Sequence, residues 1–187
     1  MADEGAALLR RIDRLEARFD IGELATAYAI ACDEHDMDRL IGLFTEAAQF
    51  DSPSGIMRAE GRDAIRAMFV RMFRIRGPAF HWTHDRSVAF DEADADRATG
   101  TVLSHAETSP DGKTSLAAMR YDDTYRRVGG CWLFERRKIN FLYYVPAGEY
   151  ADVFATAARV RSAGRRLDAD FPETLPSWRN FAKEHGG

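Results

Sequence analysis

The chain has 187 residues, 45% of them hydrophobic and 30% charged, with a formal net charge of −4. That suits one folded domain with a sizeable core, and the slight acidic excess speaks against a nucleic-acid or anionic-membrane partner. Cys32 and Cys131 support neither a disulfide framework nor a thiolate metal site, and without a signal-like segment or a long apolar run a cytoplasmic, non-membrane protein is expected.

Residues 6–18, AALLRRIDRLEAR, carry Leu8, Leu9, Ile12 and Leu15 at helical spacing. Asp20 is placed to cap a second helix from Ile21, with Ile21, Leu24, Tyr28 and Ala31 on its buried stripe. Asp36 reads as the cap of a short helix that stops near Gly42. AAQFDSPSG reads as a strand running into a turn. The stretch from Gly61 to Gly77 buries Ile65, Met68, Phe69 and Met72 on a further helix, which Gly77 and Pro78 end.

After Pro78 the apolar period changes from 3.6 to 2, predicting strands over 80–90, 97–108, 115–127 and 131–143. Asp111-Gly112 and Gly129-Gly130 are favourable hairpin turns. Helices followed by an antiparallel meander give an α+β order. A domain over 1–145 is expected, then an extension over 146–187. In the extension YADVFATAARVRSAGRRL is helix-compatible, DADFPETLPSW is proline-broken, and FAKEHGG is expected to fray. Phe171, Leu175 and Trp178 are apolar enough to cover this domain or a neighbouring subunit.

The segment FHWTHDRSVAF, residues 80–90, concentrates the chemistry. Strict alternation puts Phe80, Trp82, His84, Arg86, Val88 and Phe90 on one large, mostly apolar face. An imidazole there needs a partner. Asp33 at the end of an early helix can supply one, fixing the tautomer and leaving the other ring nitrogen as a base. Each residue also has a plainer reading: His84 as a satisfied core histidine, Asp33 as a turn carboxylate, Tyr28 as a buried aromatic, His105 as a polar strand residue. The sharper alternative has the Tyr28 hydroxyl donating to a developing oxyanion and His105 relaying a proton. Arg137 shares alternation with Leu133, Ile139 and Phe141, and if buried it needs a carboxylate or a ligand. Trp132 and Phe134 share the other parity, where they would need cover. His81 and His84 fall on opposite faces of a strand, which argues against a shared metal. The chain contains no GxGxxG, Walker A or GxSxG sequence.

IGELATAYAIACDEHDMDRLIGLFTEAAQFD, GRDAIRAMF, the HWTH strand and YDDTYRRVGGCWLFERRKINF resemble, in that order, the SnoaL-like branch of the nuclear-transport-factor-2-like superfamily over roughly residues 8–145. The resemblance implies a cone-shaped α+β barrel, its N-terminal helices packed against a strongly curved, mainly antiparallel sheet. One fold of this kind hosts many chemistries. The placement of active residues is similar to that of scytalone dehydratase, bile-acid 7α-dehydratase and hexachlorocyclohexane dehydrochlorinase. It implies a catalytic set of Asp33, His84, Arg137 and Tyr28, with His105 added from the two-histidine pocket of scytalone dehydratase. The expected activity is a cofactor-independent, dehydratase-like elimination on a hydrophobic cyclic molecule, bound by Phe80, Trp82, Leu133 and Phe141, with no metal. An isomerase or polyketide cyclase shares the proton-abstraction step, and a non-catalytic small-molecule binding protein is the alternative of a different class. Related proteins form dimers or trimers, so a homo-oligomer is expected.

Overall fold

A computed structural model describes residues 2–162 and 164–186. Helix α1 (Ala2–Asp33) is followed by the short α2 (Met37–Gly42), strands β1 (Phe44–Asp51) and β2 (Arg58–Glu60), and α3 (Arg62–Arg76). Four long strands follow: β3 (Ala79–Phe90), β4 (Arg97–Thr108), β5 (Ser115–Val128) and β6 (Cys131–Pro146). The chain ends with a run of 3-10 turns (Ala147–Ala155), strands β7 (Val160–Ser162) and β8 (Arg165–Leu167), and α4 (Pro176–His185).

The two expected amino-terminal helices are one. Asp20 lies inside α1 rather than capping a new helix, because no residue between Ala2 and Asp33 breaks the hydrogen-bond ladder. Asp36 does cap α2, its Oδ1 accepting from the Arg39 N–H at 3.0 Å. The helix-compatible stretch after Tyr150 instead forms 3-10 turns and the β7–β8 pair, while α4 occupies the end expected to fray.

The sheet is mixed and open, which corrects the expectation of a strongly curved cone. Its main path runs β2-β1-β6-β5-β4-β3, and the end strands β2 and β3 do not pair. The sheet is neither closed nor strongly curled. β1 runs parallel to β6, so the order departs from a plain meander. Helix α1 crosses β3 and β6, and α3 lies by β1 and β2. Between helices and sheet lies an aromatic core of Tyr28, Phe44, Phe50, Phe69, Tyr125 and Phe134. The inner face is therefore packed with side chains.

Beyond Lys138, β1 no longer covers the edge of β6. The carboxy-terminal segment does so instead. Tyr144 N–H donates to Arg159 O at 2.9 Å, and Asp170 and Phe141 exchange hydrogen bonds at 2.8 and 2.9 Å. Pairing these exposed backbone groups within the chain blunts a free sheet edge.

Two register shifts decide which residues face the core. In β3, Thr83 pairs with Ser104 but Arg86 pairs with Val102, so β3 carries one extra residue there. Ala79, His81 and Thr83 point inward before this bulge, and Val88 and Phe90 after it. In β6, Tyr125 pairs with Phe134 and Thr124 with Arg136, leaving Glu135 extra. Trp132 and Phe134, expected outside, are core residues, and so are Arg137 and Ile139 beyond the bulge.

Candidate active site

Asp33 is the last residue of α1, and three contacts fix that helix end. Arg76 Nη2 donates to the Cys32 carbonyl at 2.8 Å, with its guanidinium 4.8 Å from the Phe73 ring centre. The His35 ring stacks on Phe73 at 4.3 Å. Asp33 itself reaches β3: Oδ2 accepts the His81 backbone N–H at 2.8 Å, and Oδ1 lies 2.6 Å from His81 Nδ1. A carboxylate can only accept, so Nδ1 carries a proton, and in the neutral ring Nε2 is then the nitrogen with the free lone pair. The His81 and Asp33 side chains are 8% and 17% exposed.

The structure thus gives Asp33 a histidine, but His81 rather than the expected His84. The reason is the face: His84 sits at the bulge and is exposed on the outer side. There its Nε2 lies 2.8 Å from His105 Nδ1, in a hollow of about 340 Å³ lined also by Trp82, Glu107, Tyr143 and Tyr150. Desolvation, then the neighbouring His84, lowers the His105 pKa below its ordinary value. The two expected histidines do meet, but on the face of the sheet away from Asp33. Phe80 and Trp82, at 63% and 56% exposure, lie on that outer side as well. Leu133 alternates with the core residues Trp132 and Phe134 and does not line the inner face, whereas Phe141 does, stacked on Tyr144 at 5.8 Å.

Arg137 is buried at 1% exposure. Its guanidinium carbon lies 3.9, 4.1 and 4.3 Å from the ring centres of Tyr121, Tyr28 and Phe134. The carboxylate that burial demands is Asp123, with Nη2 and Nε each 3.2 Å from its oxygens. Asp123 also accepts the Tyr125 hydroxyl at 2.9 Å. Burial pushes the Asp123 carboxyl up to about 6, against the pull of Arg137. Burial works against the Arg137 charge, but Asp123 and the surrounding tyrosines outweigh it and hold the guanidinium above its usual pKa. Arg137 Nη1 is buried without a hydrogen-bond partner. Tyr28 is held well above the usual phenol range, chiefly by burial, so its hydroxyl stays protonated. The adjacent Cys32 thiol is pushed up to about 11 by the same cause.

Sequence reasoning missed His81 and Asp123. A signal for His81 was present, since polar residues occupy both parities through Thr83-His84-Asp85-Arg86, which strict alternation does not explain and a bulge does. Asp123 had only its neighbour Asp122 to mark it, and the pairing Asp123↔Arg137 becomes visible with the β5–β6 register.

The SnoaL-like domain model matches residues 13–138. The chain belongs to the SnoaL-like family. A search of curated proteins finds no match. Among solved structures, LinA superposes with a TM-score of 0.68 at 23% identity, covering 74% of this chain and 95% of its own. A type 2 LinA hexachlorocyclohexane dehydrochlorinase gives 0.68 at 19% identity over 83% and 99% of the two chains. A protein from Novosphingobium aromaticivorans, provisionally described as a scytalone dehydratase, gives 0.66 at 19% identity over 73% and 91%. At these identities the shared property is the fold. Among the described residues no helix is long and apolar enough to cross a membrane, and no cluster of three or more His, Cys, Asp or Glu is arranged to hold a metal.

Proposed function

We propose that this SnoaL-like chain is a cofactor-independent lyase that eliminates a small leaving group from a hydrophobic cyclic molecule, with His81 as general base. The 2.6 Å contact between Asp33 Oδ1 and His81 Nδ1 carries the reading. Asp33 orients the ring and stabilises the imidazolium that forms when Nε2 takes a proton from carbon. Arg137, with its unpartnered Nη1, supplies a buried positive charge, and Tyr28 a protonated hydroxyl, for the negative charge that builds up on the substrate. Phe141 contributes apolar surface on the same inner face. His84 and His105, on the outer face, stand outside this reaction. The fold shared with hexachlorocyclohexane dehydrochlorinases supports elimination as the outcome.

The test is turnover of halogenated cyclohexanes, β-hydroxy ketones and cyclic polyketide precursors by wild type, His81→Ala, Asp33→Asn and His84→Ala. Loss of halide or water and solvent-deuterium exchange at the substrate carbon are followed together. Elimination abolished by His81→Ala and retained by His84→Ala is expected. Exchange at constant mass would move the assignment to an isomerase or cyclase. Turnover that depends on His84 and not on His81 would overturn the reading.

A further inference from the structure

Helix α1 carries apolar side chains on two opposite faces. One face, including Ala17, Ile21, Leu24 and Tyr28, is buried against the domain. The other consists of Leu8, Ile12, Leu15 and Phe19, which are 42% to 67% exposed. At 100° per residue these four positions fall within a narrow stripe pointing away from the core. The inward side of the same half-helix is held to the domain by Asp13 to Arg127 at 2.6 Å and Arg14 to Glu92 at 3.0 Å. The stripe is thus presented outward by a helix with fixed orientation.

We propose that two copies of this chain associate through this stripe as a short parallel two-stranded coiled coil. Steps of four, three and four are the d-a-d-a spacing of a heptad, with Leu8 and Leu15 at d and Ile12 and Phe19 at a. Leucine at d with β-branched isoleucine at a favours parallel dimers. The flanks agree. The g positions are Arg11 and Arg18, and the e positions five residues further on are Glu16 and Glu23. In a parallel pair Arg11 meets the partner's Glu16, and Arg18 meets the partner's Glu23. An antiparallel pair sets arginine against arginine and glutamate against glutamate, which is repulsive. Within the described residues Arg11, Glu16 and Glu23 have no ion-pair partner, and Arg18 lies over the Phe90 ring at 5.2 Å. With Leu9 beside the seam, five apolar side chains of each copy leave water, an interface at the small end of the specific range. A weak, concentration-dependent dimer follows.

Sedimentation of the full chain over a concentration series tests this. Wild type should dimerise, and Leu15→Glu should raise Kd by roughly tenfold or more, while the circular dichroism spectrum, and the thermal midpoint at concentrations where wild type is monomeric, stay unchanged. Glu16→Arg should also weaken the dimer, and adding Arg11→Glu should restore it. Orientation is read in a Cys131→Ser background. Leu8→Cys alone should form a disulfide-linked dimer, because residue 8 meets its own copy in a parallel pair. A monomeric wild type, an assembly indifferent to Leu15→Glu, or cross-linking of Leu8→Cys only to Phe19→Cys would each overturn the proposal. So would a wild-type monomer that binds anionic vesicles through this stripe, which would assign the face to a lipid surface.

Discussion

His81 and His84 are three positions apart on one strand and live in different surroundings. His81 faces inward, is nearly buried, and hydrogen-bonds a carboxylate at the end of α1. His84 faces outward and shares a hydrogen bond with another imidazole in an open hollow. An imidazole held by a carboxylate becomes a base of fixed tautomer, whereas in the outer pair desolvation, then the neighbouring His84, discourages His105 from charging. A single extra residue between Thr83 and Arg86 ends the inward parity that His81 follows. Catalytic potential here is a matter of face before it is a matter of residue type.

The largest contrast is expected in turnover. His81→Ala should lower kcat by about 10²–10⁴, while His84→Ala changes it little; steady-state kinetics on any substrate found by the panel checks both arms. Equal losses from the two variants would erase the distinction between the faces.

The ion pairs supply a second contrast, read by denaturant unfolding. Asp123→Ala strands the buried Arg137 charge and should cost about 3–5 kcal/mol. Arg136→Ala breaks an outer-face pair with Asp51, whose side chains are 47% and 24% exposed, and should cost at most about 1 kcal/mol. Among the aromatics, Phe134→Ala should cost about 3–5 kcal/mol through loss of core contacts. Trp82→Ser, on the outer face, should stay within about 0.5 kcal/mol.

The smallest effect is a pH dependence. The His105 pKa is lowered in the folded chain, so the unfolded chain binds more protons over the interval below the ordinary histidine value. Stability contributed by the neutral ring is present above the unfolded pKa and is lost as pH falls toward the folded one. Because the ring is largely exposed, its share of the change in Tm between pH 7 and pH 5 should be about a degree or less, read as the difference between wild type and His105→Gln, since the buried Asp123 carboxyl titrates in both. An NMR titration of the His105 ring should give a midpoint below the ordinary 6.5; a midpoint above it would contradict the proposed electrostatics of the pair.

How much of this was legible follows from the range of each signal. Periodicity is local, and it placed α3 and the four long strands within a residue or two, apart from the last, β6, which runs three residues further to Pro146. The Asp36 cap is local too. Strand parity is local only while alternation holds, so it failed at the bulges. Phe80 and Trp82 were expected inside and stand outside, and Trp132 and Phe134 were expected outside and form core. The family resemblance carried Asp33, Tyr28 and Arg137 to the inner side, where all three side chains lie, whereas the histidine that Asp33 meets is His81, three residues before the His84 it named.

The sequence by itself determined the order of the main elements from α2 to β6, the SnoaL-like character, and the residue types available for proton transfer. Hydrophobic period, turn residues and caps act over a few neighbours and need no knowledge of the rest of the chain. Tertiary structure alone decided that the sheet stays open, that Asp33 meets His81, and that Arg137 pairs with Asp123. Each of those outcomes depends on register between strands far apart in sequence, and a shift of one residue moves a side chain from core to solvent.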